Sequence, residues 1–340
     1  MKRLILQWHL TNVCNKRCRH CYQENYSEDE ISVESLKKYT DQYIELLKKF
    51  NKANNVKTCG QINVTGGEPF VFKHIWDLLD YFKEKSRYFD FAVLTNGSLL
   101  NEENVRKLKL YNPTSVQISI DGSRKTHDFI RGKDSFEEAG TALKLLHKYK
   151  IKALVSFTAN SMNYKEFPEV VAFARKNKAY KVWTDRMVPI GNGLNDEVHT
   201  LTKEQVKEYI DIIKREQTSF LNKICKLKVG GERSLQFLNG VSSSYKCSAG
   251  DGLIILLPDG SVMPCRRLPI IAGNIKNSSL SEIYFNSEVF INLRNFNNVP
   301  KGCSECTFLN VCRGGAKCIS YGVYKDYTFG DYGCFLRKQR

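Results

Sequence analysis

The sequence predicts an α/β fold of six strand–helix units followed by a small cysteine-rich region with a β-hairpin, and three observations carry that prediction. Apolar, β-branched runs recur at residues 4–10, 61–65, 91–94, 115–120, 153–158 and 181–188, with amphipathic stretches between them. Such alternation, sustained over about 220 residues, demands parallel strands joined by right-handed helical crossovers, as an open sheet or a barrel. Beyond about residue 225 the alternation fades, and Cys247, Cys265, Cys303, Cys306, Cys312, Cys318 and Cys334 crowd into the remaining chain.

Each element has a local cause. The six apolar runs read as strands buried on both sides. Leu36, Tyr39, Tyr43, Leu46, Leu47 and Phe50 recur at helical spacing and form one apolar face after the first strand. Ser135 with Glu138 reads as a capping box for a helix through Leu146, and Thr202 with Gln205 as the cap of a later one. Pro258-Asp259-Gly260 supplies a preset φ and a left-handed position, so residues 253–257 and 261–265 form a hairpin. No internal repeat interrupts the pattern. The chain divides on this reading into residues 1–200, a helical linker over 201–240 and a cysteine-rich unit over 241–340.

Composition narrows the class. The 340 residues hold 12 cysteines and a net charge of +16, from 52 Lys and Arg against 36 Asp and Glu. Most of these cations read as a solvated surface, so a nucleic-acid partner is not expected. Lys16, Arg17, Arg19, Arg124, Lys125, Arg131, Arg266 and Arg267 stand apart because they flank the motifs below. The opening residues hold too short an apolar run for a secretory signal. No stretch nears the roughly 20 apolar residues of a spanning helix, so no membrane role is expected. A reducing, cytoplasmic setting follows, in which the cysteines call for metal in place of disulfides.

Cys14, Cys18 and Cys21 form a C-x3-C-x2-C loop directly after the first strand. A closed structural zinc site takes four protein ligands, whereas three thiolates leave one position for chemistry. In βα barrels chemistry gathers at the C-terminal strand ends. Here those ends carry Gly66-Gly67-Glu68-Pro69, Thr95-Asn96-Gly97 and Ser119-Ile120-Asp121-Gly122. A zinc knuckle completed by His9, His20 or a distant thiol is the competing reading of the loop. Tight turns are the competing reading of the glycines. A dinucleotide site is excluded because no G-x-G-x-x-G follows the first strand. Cys59 reads as a small buried hydrophobe, and His127 with Asp128 as a helix-start pair.

These residues resemble the radical S-adenosylmethionine (SAM) enzymes, whose fingerprint is this cysteine spacing with a Gly-Gly-Glu turn, over roughly residues 4–190. The resemblance implies a partial (β/α)6 TIM barrel. It implies that Cys14, Cys18 and Cys21 hold a 4Fe-4S cluster whose open iron is chelated by SAM. His20 and Tyr22 then stand at adenine, and Gly66, Gly67 and Glu68 receive the methionine amino group. Asn96 lines the cofactor site, Ser119 and Asp121 contact ribose or carboxylate, and Arg131 pairs with the carboxylate.

The later cysteines are similar to the SPASM extension of peptide-modifying radical SAM enzymes. That pattern ends C-x2-C-x5-C-x3-C before a last cysteine; here the fourth position is Ala316, and the thiol stands at Cys318. The resemblance implies two auxiliary iron-sulfur clusters, three clusters in all. Cys303, Cys306, Cys312 and Cys334 would hold the outer one, and Cys247, Cys265 and Cys318 the inner. The inner set lacks a fourth thiol, for which Cys225, a water and the substrate are the candidates. A pair of zinc sites is the competing reading.

The function implied is hydrogen abstraction from a peptide or protein by a 5′-deoxyadenosyl radical, leading to a cross-link, thioether or epimerisation. Flavodoxin or ferredoxin would supply the electron. Sulfatase maturation ranks second, because those enzymes carry Asp after the cysteine matching Cys265 and this chain has Arg266. A small-molecule dehydrogenase ranks third, and a metal-binding scaffold is the non-enzyme alternative. The chain starts at the first strand, so an acidic leader would bind a separate protein or a basic rim of Arg17, Arg19, Arg124, Lys125 and Arg266.

Overall fold

The computed structural model describes residues 3–27, 31–194, 198–231, 235 and 247–336. The expected linker boundary near residue 240 lies outside the described residues. Among those described, ten strands form one sheet in the order β10-β9-β8-β1-β2-β3-β4-β5-β6-β7. They are β1 (Ile5–His9), β2 (Gly60–Thr65), β3 (Phe89–Thr95), β4 (Ser115–Ser119), β5 (Ala153–Ala159), β6 (Lys181–Arg186), β7 (Lys228–Gly230), β8 (Leu253–Leu256), β9 (Ser261–Met263) and β10 (Gly273–Asn274). All neighbours from β8 to β7 pair in parallel, while β8-β9 and β9-β10 are antiparallel. β10 and β7 end the order, so the sheet is an open, partial barrel.

The anticipated hairpin is β8-β9, and it is not a separate layer. Residues 253–256 run in register along residues 5–8 of β1, so backbone hydrogen bonds join the cysteine-rich region to the barrel. The three-residue β7 had no sequence signal of its own; its place beside β6 comes from pairing alone.

The six strands β1 to β6 are buried or half-buried on both faces, as expected, but the two faces differ in polarity. Leu6, Trp8, Ile62, Val64, Val116, Ile118, Val155, Phe157 and Val182 are fully buried in the core cluster. Each contributes on the order of 2 kcal/mol through apolar burial. The intervening Gln7, Asn63, Gln117, Ser156, Trp183 and Asp185 line a cavity inside the barrel. A period of two sends these sets to opposite faces, and a polar inner face is what an enclosed ligand site requires.

The helix Val33–Asn54 buries its predicted face, and the Tyr43 hydroxyl donates to Leu4 O at 2.9 Å while accepting from Gln61 N at 2.9 Å. Thr202 and Gln205 form the expected capping box on the helix Lys203–Thr218. The Ser135–Glu138 box does not form. Ser135 is already the first residue of the helix Ser135–Lys148, and its hydroxyl donates to Gly132 O. Asp128 Oδ1 instead accepts from Phe136 N at 2.8 Å, because the preceding helix Arg124–Arg131 carries it there. A second box, Ser279 with Glu282, starts the helix Leu280–Asn286. Among the described residues no helix is long and apolar enough to cross a membrane.

Candidate active site

The cysteine loop lies directly on the glycine turn after β2. Gly67 N donates to Thr11 O at 2.8 Å and Glu68 N to Val13 O at 2.9 Å. A Cβ on Gly67 would collide with Val13 O, and one on Gly66, at φ 154°, would sit 2.6 Å from Thr11 O. The two glycines are therefore what lets the loop approach. Within it, Lys16 N points at Cys14 Sγ at 3.4 Å and Gln23 N at Cys21 Sγ at 3.4 Å, while Arg131 Nη1 stands 3.7 Å from Cys18 Sγ. Donors aimed at sulfur stabilise thiolates and tune a cluster held by them. Burial pushes the Cys18 thiol up to about 11, so forming the thiolate there calls for a cation that displaces the proton.

The three thiols open on the barrel cavity, of about 290 Å³, together with His20, Tyr22, Gly66, Gly67, Asn96, Ser119 and Arg131. Glu68 and Asp121 are brought to the same end of the sheet, but their carboxylates are fully buried and are not among the cavity-lining residues. Glu68 Oε1 accepts from Thr95 Oγ1 at 2.7 Å and Oε2 from Asn96 N at 2.9 Å. Burial raises its pKa to about 7 against these hydrogen bonds. Asp121 Oδ2 meets His20 Nε2 at 2.8 Å and Arg131 Nε at 2.5 Å, and Oδ1 accepts from Thr158 N at 2.8 Å. Burial would raise this carboxyl, but Arg131 and His20 hold it well below the carboxylate range. Both acids thus orient the residues that face the cavity. His20 Nδ1 is buried without a protein partner, an orphaned polar atom of the kind a bound ligand satisfies. His127 accepts from Asp121 N through Nδ1 at 3.0 Å, while Asp128 accepts instead from Phe136 N, so the expected pair is split between two structural roles.

The later thiols fall into two groups. Cys247, Cys265 and Cys318 line a cavity of about 30 Å³, and Cys303, Cys306, Cys312 and Cys334 one of about 20 Å³. Among the described residues no three His, Cys, Asp or Glu side chains close on one ion; the thiols ring cavities instead. Asp185 and Arg267, joined by a short ion pair, line both the inner thiol cavity and the barrel cavity. Next to them Arg186 pairs with Asp331 through two contacts of 3.0 and 2.5 Å, and Asp331 also accepts from Ala316 N and Gly333 N at 2.9 Å. Of these four, the sequence set apart only Arg267, as a cation flanking a motif. Asp185 and Arg186 stand at a strand end, but reading that strand through to residue 188 hid them.

Three placements depart from expectation. Cys225 is exposed and lies just before β7, whose Lys228 pairs with Lys181 at the start of β6, so it sits at the sheet edge opposite Asp185. Cys59 is exposed, because only its carbonyl is engaged, by Arg3 Nε at 3.0 Å. Arg266 is not on the rim: its guanidinium lies 5.0 Å from the Tyr22 ring centroid, and its Nε is buried without a partner. Arg17 and Arg19 stack on Tyr26 and Phe129 at 3.9 and 4.2 Å.

Comparison with known proteins agrees with this arrangement. The sequence profile of the radical SAM superfamily matches residues 8–174, and that of SPASM, an iron-sulfur cluster-binding domain, matches residues 247–307. The chain is 26% identical over 350 residues to an AdoMet-dependent heme synthase of Methanosarcina barkeri, covering 98% of this chain and 96% of that one. It is 28% identical over 328 residues to the mycofactocin maturase MftC of Mycolicibacterium smegmatis, covering 94% and 79%. The fold matches that of Streptococcus suis SuiB bound to the precursor peptide SuiA, with a TM-score of 0.74, 17% identity and coverage of 98% and 76%. Two thiol-bearing regions on a parallel α/β sheet, matched in order by two family profiles, make this chain a member of the radical SAM superfamily: an enzyme dependent on SAM and iron-sulfur clusters, with a C-terminal SPASM domain.

Proposed function

We propose that this enzyme modifies a peptide, by abstracting a hydrogen atom from an unactivated carbon to yield a cross-link, thioether or epimer. The observation that carries the reading is one cavity that joins the Cys14-Cys18-Cys21 loop to Asp185 and Arg267, which also line the inner thiol group. A substrate there would meet the first thiol loop directly and the inner thiol region through the shared Asp185 and Arg267. Cys14, Cys18 and Cys21 would hold the 4Fe-4S cluster, and the later seven thiols two auxiliary clusters. When bound, the first cluster would supply the electron for reductive cleavage of SAM, the source of the hydrogen-abstracting radical.

The chain's own residues bind and orient. Arg131 offers its guanidinium to the methionine carboxylate, while Asp121 fixes the angle of that guanidinium and of His20. Backbone groups of Gly66 and Gly67 meet the ammonium, and Glu68 locks that turn to the end of β3 through Thr95 and Asn96. His20 and Tyr22 flank adenine, with Ser119 and Asn96 toward ribose and methionine. The radical SAM barrel spans residues 1–200 in this proposal and the SPASM domain residues 241–340. A flavodoxin or ferredoxin is the proposed reductant.

A tetrapyrrole carboxylate is the second reading, favoured by the heme synthase relative that covers 98% of this chain. Arg186 and Arg267 at the cavity wall are the residues that would meet it. Sulfatase maturation ranks behind both, since Arg266 follows Cys265. The test is anaerobic reconstitution followed by assay of 5′-deoxyadenosine with precursor peptides and with iron-coproporphyrin. The triple variant Cys14→Ala, Cys18→Ala, Cys21→Ala is expected to abolish 5′-deoxyadenosine formation while retaining auxiliary-cluster iron. Persistent formation would reject the site, and turnover of the porphyrin alone would reject the peptide.

A further inference from the structure

A cavity of about 320 Å³ on the outer side of Cys247 has no part in the chemistry proposed above. Its walls include Leu293, residues 295–300, Arg313 and Lys317. Cys247 also lines the inner thiol cavity, so the space adjoins the auxiliary region while lying outside it. Arg313 sits at φ 53°, followed by Gly314 at 84° and Gly315 at 72°, and this left-handed run places its guanidinium 3.8 Å from the Phe296 ring centroid. Its Nε and Nη1 are buried and have no hydrogen-bond partner.

Buried donors are almost always satisfied, and a charged donor left unpaired carries the largest desolvation cost. Arg313 therefore brings an incompletely satisfied guanidinium to the cavity wall, where an anionic acceptor would offset its cost. Lys317 brings a second cation to the same wall. No Asp or Glu is among the described residues lining the cavity. Asn297, Asn298 and Asn310 add amides that both donate and accept, which matches peptide main chain, and Phe296 and Val299 offer exposed apolar surface.

We infer that this cavity binds a side-chain carboxylate of an extended acidic peptide segment, Arg313 and Lys317 taking the carboxylate and the asparagines the main chain. The inference rests on the peptide reading of the function and moves leader recognition from the rim of the barrel to the SPASM side. Nothing is transferred here; the site holds the substrate while its reacting carbon reaches the barrel cavity.

The experiment is fluorescence anisotropy under anaerobic conditions, titrating reconstituted enzyme into a labelled, end-blocked peptide alternating Leu and Glu, with a Leu-Gln peptide as control. Wild-type enzyme is expected to prefer the Glu peptide by about tenfold or more, the range for a charge-assisted hydrogen bond. Arg313→Gln should reduce that preference to the Gln level. Asn298→Asp, which places a competing carboxylate at an exposed position, should do the same. Iron content and peptide-independent 5′-deoxyadenosine formation should be unchanged in both variants. Equal binding of the Glu peptide by wild type and both variants would overturn the inference. So would an Arg313→Gln shift in auxiliary-cluster potential with peptide affinity intact, since the cations would then serve the clusters. Displacement of the Glu peptide by acetate at equal carboxylate concentration would reject the peptide segment in favour of a small anion. If wild type binds neither peptide and turns none over, the peptide reading itself falls; equal binding of both peptides removes only this site.

Discussion

The two thiol regions are held by opposite means. Cys14, Cys18 and Cys21 lie within one loop at one strand end, where nearby backbone N–H groups face the Cys14 and Cys21 sulfurs and a glycine turn fixes the approach. The later seven thiols come from segments scattered between residues 247 and 334, and what gathers them is the pairing of β8 with β1 and the buried Arg186–Asp331 pair. A site written in one short stretch can be assembled by local geometry. A site written in many pieces needs the rest of the molecule as its jig.

The strongest way to break this contrast is Asp331→Ala. Removing one partner of a buried pair costs about 3–5 kcal/mol, because the remaining charge stays buried. The variant is expected to lose that much in urea denaturation and to lose auxiliary iron on reconstitution, while the first cluster and 5′-deoxyadenosine formation survive. Full auxiliary iron in Asp331→Ala would show that the thiols assemble without the barrel.

Titration of the two buried carboxylates sharpens it next, because their signs are opposite. Glu68 rises from 4.5 to about 7 on folding, chiefly through burial. Its contribution is complete below about pH 4.5 and fades as pH rises through 7, a loss of about 3 kcal/mol in SAM-free protein. For Asp331, burial pushes upward but Arg186 wins and the pKa falls below 3.8, so its contribution is present above that value and fades in acid. Urea midpoints of Glu68→Gln and wild type compared at pH 5 and pH 8 should show wild type losing its advantage as pH rises. A constant difference would mean that Glu68 is ionised throughout.

The smallest effects test the caps. Thr202→Ala, at the helix leaving the barrel, and Ser279→Ala, at the helix in the cysteine-rich region, should each cost about 1 kcal/mol. Asp128→Ala should cost a similar amount and Ser135→Ala less, since Asp128 caps the helix that Ser135 only begins. A larger loss in Ser135→Ala than in Asp128→Ala would reverse that assignment.

Much of this molecule was legible in sequence. The six strands, the helix face from Leu36 to Phe50, the Thr202 cap and the hairpin depend on spacing within a few residues, and spacing is what a sequence displays. The carboxylates were harder to read. Glu68 and Asp121 carry the residue types of a ligand site, but each turns to protein donors on neighbouring elements, at Thr95 and Asn96 in one case and Thr158 and Arg131 in the other. No local pattern reports which side of a strand end a carboxylate will choose.

By itself the sequence determined the class of chemistry, because a C-x3-C-x2-C loop with a Gly-Gly turn needs only adjacent residues and close backbone approach to form its site. Tertiary structure alone decided that Asp185 and Arg267 line the cavities of both thiol regions, that Asp331 reaches 145 residues back to Arg186, and that Cys225 is exposed near the opposite end of the sheet. The physical reason is that these depend on strand register and on buried ion pairs, whose partners are chosen by the packed sheet and not by their neighbours along the chain.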